Sequence, residues 1–497
     1  MPTTHVTVYI NEYSLNHFHW CALLRHTVMA SSSSSLLFSV FILFSILFLA
    51  SCSKDNIPAT ITIPLTSTFT SKPLASASLS RAHHLKHGKT SPPAKTSLFP
   101  HSYGGHSISL SFGTPPQKLS FLVDTGSDVV WAPCTTDYTC TNCSFSAADP
   151  KKVPIFDPKL SSSSKILDCR NPKCVSTYFP YVHLGCPRCN GNSKHCSYAC
   201  PYSTQYGTGA SSGYFLLENL KFPRKTIRNF LLGCTTSAAR ELSSDALAGF
   251  GRSMFSLPIQ MGVKKFAYCL NSHYYDDTRN SGKLVLDYSD GKTKGLFYTP
   301  FLKNPPDFPF YYYLGVKDIK IGNKLLRIPS KYLAPGSDGR GGLMIDSGFA
   351  YGYMTGPVFK KVTNELKKRM SKYRRSLEAE AEIGVTPCYN FTGQKSIKIP
   401  DLIYQFRGGA TMVVPGKNYF VLIPEISLAC FPLTTDAGTN TLEFTPGPSI
   451  ILGNSQHVDY YVEFDLKNER LGFRQQTCQS CTFMHATGCR CAPARNG

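Results

Sequence analysis

Two segments of this chain repeat one pattern. Phe121-Leu122-Val123-Asp124-Thr125-Gly126-Ser127 and Leu343-Met344-Ile345-Asp346-Ser347-Gly348-Phe349 each run apolar residues into Asp-Thr/Ser-Gly. A β-branched residue directly before each Asp suits a buried strand. A carboxylate at the end of such a strand is costly unless its surroundings tune it. Gly126 and Gly348 let the chain turn sharply there, and Thr125 and Ser347 add hydroxyls that can both donate and accept inside the turn. One Asp-x-Gly is an ordinary turn signal. Two copies, with run, hydroxyl and glycine all repeated, point to two carboxylates held against each other. Such a pair shares one proton, so the charged member can take a proton from water while the neutral one gives a proton to a carbonyl oxygen. The titration then belongs to the pair and not to either residue.

The surroundings of each copy are as specific as the copies themselves. Gly113-Thr114-Pro115-Pro116-Gln117 lies just upstream of the first, and Trp131 follows Asp124 by seven positions. Tyr206-Gly207-Thr208-Gly209 has the composition of a hairpin tip. Leu247-Ala248-Gly249 and Ile451-Leu452-Gly453-Asn454 repeat an apolar-apolar-glycine element, and Tyr461 to Leu466 with Leu471-Gly472-Phe473 close the region. On these motifs the chain resembles the pepsin-like aspartic proteases, and more closely their plant nepenthesin-like branch, over about residues 103–478.

That resemblance implies a mostly β, bilobal fold with a cleft between the lobes, and Asp124 and Asp346 at its floor. Thr125, Gly126, Ser127, Ser347 and Gly348 would support the pair. Tyr206, Gly207 and Thr208 would form a flap over an extended peptide, with Trp131 behind Tyr206. The implied activity is endopeptidase cleavage at acid pH, with no metal and no organic cofactor. It also implies disulfides Cys269–Cys478 and Cys388–Cys430. The second copy departs from the family at Phe349, where a Ser or Thr usually stands. Losing a hydrogen bond to a charged group costs about 1.5–3 kcal/mol. A phenyl ring beside the carboxylate would also desolvate it. A weakened protease is therefore one expectation. A second is an inactive pepsin-fold binding protein, like the plant xylanase inhibitors of this branch, although such relatives typically lose the Asp motifs that this chain keeps.

The ends read differently. Leu36 to Ala50 is an apolar run too short to span a bilayer and suited to a signal-peptide core, with small residues at Ala50-Ser51-Cys52 for cleavage. We expect residues 1–52 to be an extension and signal peptide, with Met29 the true start, and residues 53–100 to be a prosegment. Residues 101–290 then form the N-terminal lobe with its Cys-rich insert, 291–478 the C-terminal lobe, and 479–497 a tail. Secretion to the wall is the expected destination, with the vacuole as alternative. The protein is expected as a monomer, without a stable membrane anchor.

Nineteen cysteines in a secreted chain imply disulfides. Cys140/Cys143 and Cys186/Cys189 are both C-x-x-C, so a zinc ribbon is the alternative there. Asn142 and Asn390 stand in glycosylation sequons. The formal charge is +21, most of it after residue 100. No nucleic-acid module is readable, and an acidic cell-wall polysaccharide is the partner such a surface suggests. One helix is readable from Pro357 onward, with Val358, Phe359, Val362, Leu366 and Met370 at helical spacing and a Lys/Arg-rich opposite face that reads as solvated.

Overall fold

The computed structural model describes residues 60–68, 105–135, 137–143, 153–175, 198–206, 209–222, 225–239, 246–271, 282–436 and 447–478. The signal-peptide run, Cys186, Cys189, Gly207, Thr208 and the tail lie outside the described residues. The chain divides at Ile57/Pro58 into two units, and only the second contains described residues.

The elements needed below are β1 (Thr60–Thr68), β2 (Gly105–Phe112), β3 (Gln117–Asp124), β4 (Trp131–Pro133), β5 (Pro201–Gln205), β6 (Ala210–Phe222), β7 (Lys225–Ala239), β8 (Ala246–Gly249), β9 (Lys265–Cys269), β10 (Gly282–Asp287), β11 (Leu343–Asp346), β12 (Gly352–Met354), α1 (Gly356–Arg369), β13 (Ile450–Gly453), β14 (Tyr460–Asp465) and β15 (Arg470–Gln475). Among the described residues, one large sheet runs β15-β14-β9-β10-β1-β2-β3-β8-β4-β7-β6 through its middle, and β11, β13 and β12 sit together in a separate sheet. The protein is mostly β and bilobal, with the first Asp motif in the large sheet and the second in the smaller one.

The junction is held by apolar stacking. Phe266 on β9 stacks on Phe464 of β14 with ring centroids 4.5 Å apart, and Tyr312 meets Phe464 edge-on at 4.7 Å. Such pairs are worth about 0.5–1.5 kcal/mol beyond the area they bury. Beside them the buried ammonium of Lys265 lies 3.2 Å from Asp287 and donates to the Gly291 carbonyl, while Glu463 accepts from Tyr298 at 3.0 Å. Disulfides join Cys269 to Cys478 and Cys388 to Cys430, and within the N-terminal lobe Cys134 to Cys234 and Cys174 to Cys200. Cys140 bonds Cys143, so this C-x-x-C closes on itself.

β1 falls inside the stretch read as a prosegment. It pairs antiparallel with β10 from Thr60↔Asp287 to Leu65↔Gly282, and its last three residues pair with β2. Removing 53–100 as one piece would strip a strand from between β10 and β2 and leave two edges unpaired. Thr60–Thr68, within the stretch read as a prosegment, thus lies as a strand between β10 and β2. Its alternation of Thr and Ile was a strand signal masked by Ser- and Lys-rich neighbours.

The helix expected after Pro357 is α1. It buries Val358, Phe359, Val362, Thr363 and Leu366 and exposes its lysines. Both sequon asparagines, Asn142 and Asn390, are exposed.

Candidate active site

The two motif strands end alike. β3 runs parallel to β8 with Asp124 opposite Gly249, and β11 runs parallel to β13 with Asp346 opposite Gly453. The repeated apolar-apolar-glycine elements are thus the strands that flank each Asp. Both carboxylates are fully buried. Each accepts the backbone N–H of the glycine two residues on: Gly126 to Asp124 Oδ1 and Gly348 to Asp346 Oδ1, both at 2.9 Å.

The intervening hydroxyls lock the two loops together. Thr125 N–H donates to Ser347 Oγ at 3.1 Å, and Ser347 N–H donates to Thr125 Oγ1 at 2.9 Å. Ser347 Oγ then donates to the Val123 carbonyl at 2.9 Å, and Thr125 Oγ1 to the Ile345 carbonyl at 3.4 Å. Every donor and acceptor in this buried exchange belongs to one loop and bonds the other. Gly348 completes the contact, since a Cβ added there would lie 2.3 Å from Asp124 Oδ1. One glycine therefore bonds the Asp346 carboxylate and packs against that of Asp124.

The copies differ in their outer support. Ser127 Oγ donates to Asp124 Oδ2 at 2.6 Å. Phe349 has no such donor. Its ring is wholly buried in a cluster with Phe308, Phe310, Tyr311, Tyr313, Met344, Tyr353 and Ile451. The second loop is held through its carbonyls instead. Asn454 Nδ2 donates to Ser347 O at 2.8 Å, Asn454 N to Phe349 O at 2.6 Å, Ser455 N to Ala350 O at 2.9 Å, and Gln456 Nε2 to Tyr351 O at 2.7 Å. Phe349→Thr should restore a hydroxyl yet empty part of the aromatic cluster, at a cost of about 3 kcal/mol. We expect its unfolding midpoint in urea to fall while its activity per folded molecule rises. Unchanged activity would show that the clamp from 454–456 already does what the hydroxyl does elsewhere.

Tyr206 directly follows β5, and its hydroxyl accepts the indole N–H of Trp131 at 2.7 Å. The Tyr206 backbone N–H donates to the Gly209 carbonyl at 2.7 Å. Trp131 is placed by β4, which lies between β8 and β7.

Sequence reading missed two buried titratable groups. Asp128 follows the first motif directly. Its Oδ1 accepts the Ser253 N–H at 3.0 Å, and a Cβ on Gly251 would sit 2.3 Å from that oxygen. Burial pushes its carboxyl up to about 7, helped by the nearby Asp124 charge and opposed by the Ser253 bonds. The signal was the asymmetry of the copies, since the matching position after the second motif is Ala350. His457 is the other. Its Nε2 faces the Leu452 carbonyl at 3.0 Å and so carries the hydrogen, leaving Nδ1 to accept from Tyr268 Oη at 3.0 Å. Burial drives its pKa down to about 3, so the ring is neutral.

Two β lobes whose Asp-Thr/Ser-Gly loops bond each other reciprocally define the aspartic protease class of fold. Comparison with known proteins agrees. Residues 106–286 match the xylanase inhibitor N-terminal domain family and residues 311–475 the corresponding C-terminal one. The chain is 30% identical over 422 residues to a probable aspartyl protease of Arabidopsis thaliana, covering 75% of this chain and 82% of that one. It is 29% identical over 380 residues to aspartic proteinase nepenthesin-1 of Nepenthes gracilis, covering 76% and 78%. The solved structure of edgp superposes with a TM-score of 0.59 at 19% identity over 84% of this chain and 95% of that one. Soybean basic 7S globulin gives 0.56 at 16% over 84% and 97%. The chain belongs to the pepsin-like aspartic protease family of plants.

Proposed function

We propose that this protein is an acid endopeptidase that hydrolyses extended peptides with a water activated between Asp124 and Asp346. The observation that carries the reading is the reciprocal bonding of Thr125 and Ser347, which fixes the two Asp-bearing loops against each other. Two carboxylates so confined cannot both be charged, so one acts as base toward the water and the other as acid toward the peptide carbonyl. Tyr206, held by Trp131, would close over the peptide together with Gly207 and Thr208. Secretion fits the cysteine load, and an acid working range fits a proton-sharing pair.

The test is digestion of denatured globin at about pH 3–5, with and without pepstatin. Pepstatin-sensitive fragments are expected, and Asp124→Asn should lower the rate about 10³-fold or more while keeping the wild-type circular dichroism spectrum. Absence of pepstatin-sensitive cleavage under every activation condition would overturn the reading. One observation favours a second reading, a pepsin-fold binding protein without activity: Phe349 stands where Ser127 supplies an outer donor in the first copy.

A further inference from the structure

The basic charge of this chain is gathered as well as large. From Gly356 through Arg375 there are eight Lys or Arg and one acid, Glu365. That acid is engaged by Arg369 at 2.8 Å, and Arg369 also reaches Asn323 at 2.6 Å. The four lysines of α1 fall on one side. Lys360, Lys361, Lys367 and Lys368 are all exposed, while Val358, Phe359, Val362, Thr363 and Leu366 face inward. Lys372 and Arg374, past the helix end, are exposed as well. No acidic side chain pairs with Lys360, Lys361, Lys367 or Lys368 among the described residues.

The helix winds these lysines onto one face as a stripe. From Lys360 to Lys368 it covers about 12 Å of helix. Four like charges at helical spacing repel one another, and nothing in the fold requires them. The chemistry of the face narrows what would relieve them. It has no exposed aromatic side chain on which a nucleic-acid base could stack. No large apolar residue of α1 is exposed to enter a bilayer, and the apolar core that a protein interface buries is missing too. What remains is a row of flexible, strongly hydrated point charges, suited to a linear chain carrying a carboxylate on every unit.

We propose that the exposed lysine face of α1 is a docking surface for a linear acidic polysaccharide of the polyuronate type. Binding there would hold the protein on an acidic matrix through counterion release, so it would weaken steeply with salt. The surface involves no residue of the Asp pair, and its test does not depend on the protein being a protease.

The probe is polygalacturonate, with affinity measured at about 0.1 M salt. The full chain is compared with a Lys360→Gln/Lys361→Gln/Lys367→Gln/Lys368→Gln variant. The control, Lys118→Gln/Lys159→Gln/Lys165→Gln/Lys221→Gln, removes equal charge from the N-terminal lobe. The α1 variant should bind about tenfold or more weakly with a shallower salt dependence, and the control should lose about threefold at most. Equal loss in both variants would mean diffuse attraction without a site and overturn the proposal, as would no loss in either. Tighter binding of the wild-type chain to phosphatidylserine vesicles than to polygalacturonate would overturn it in favour of a membrane. An unchanged unfolding midpoint shows that any loss comes from the surface and not from the fold.

Discussion

Gly348→Ala is expected to abolish catalysis while Gly291→Ala leaves it intact. Neither glycine needs a left-handed backbone, so the contrast is one of space. A methyl at 291 would meet nothing nearer than Ser289 Oγ at 3.9 Å. A methyl at 348 would stand 2.3 Å from Asp124 Oδ1 and 2.5 Å from its Cγ. A flexible side chain could swing clear of it, but Asp124 cannot swing freely. Gly126 N–H holds Oδ1 and Ser127 Oγ holds Oδ2. Breaking either bond costs about 1.5–3 kcal/mol. The alternative is to part the two loops, which loses the paired bonds between Thr125 and Ser347. Either response misplaces the carboxylates by a sizeable fraction of an ångström, and displacement of about 1 Å can cost 100-fold in rate. We expect pepstatin-sensitive cleavage to fall about 100-fold or more, with a lowered unfolding midpoint. Wild-type rates from the Gly348→Ala protein would show that the glycine does not separate the two carboxylates. The midpoint remains informative even if the parent chain proves inactive.

The parts of this site that were legible in the sequence are those carried by short repeats. Each Asp, its following hydroxyl and glycine, and the flanking apolar-apolar-glycine strand lie within a few residues of one another, and backbone pairing does the rest. Tyr206 and Trp131 were legible only through family likeness, since nothing local says that residues 75 apart share a hydrogen bond. Where the Phe349 ring goes could not be read at all. Its partners Phe308, Phe310 and Tyr311 lie about 40 residues upstream, and Phe beside a catalytic motif reads as damage until that cluster is seen. The clamp from Asn454, Ser455 and Gln456 was hidden for the same reason: polar residues after a strand read as a turn. The lysine face of α1 was legible as a solvated face from its helical spacing alone, because Val358, Phe359, Val362 and Leu366 fix which side is buried.

The second large effect is on pH dependence. Asp128→Asn should change the way stability varies with pH by as much as about 4 kcal/mol between acid and neutral conditions. In the unfolded chain Asp128 titrates near 3.9. In the fold, burial, with Asp124 adding like charge nearby, raises it to about 7. A raised carboxyl pKa stabilises the fold at low pH. The contribution is complete below about pH 4 and is lost as pH rises through about 7, where the native state must bury a charge. Asn supplies the same acceptor to the Ser253 N–H and never ionises, so the variant should match the parent more closely at acid pH and exceed it at neutral pH. The comparison must be made as a difference, because His457 works in the opposite direction. Its pKa is depressed from about 6.5 to about 3, so its contribution is present above about 6.5 and is lost as pH falls toward 3. In the parent the two groups partly cancel. The His457 contribution is common to both chains and drops out when one urea-unfolding curve is subtracted from the other. Tyr312, whose hydroxyl donates to the Phe250 and Gly251 carbonyls beside Asp128, stays protonated throughout this range. If parent and Asp128→Asn stabilities run parallel from about pH 4 to about pH 8, Asp128 is not neutral in the native state. The loop at 251–253 would then have to be holding a buried charge beside Asp124.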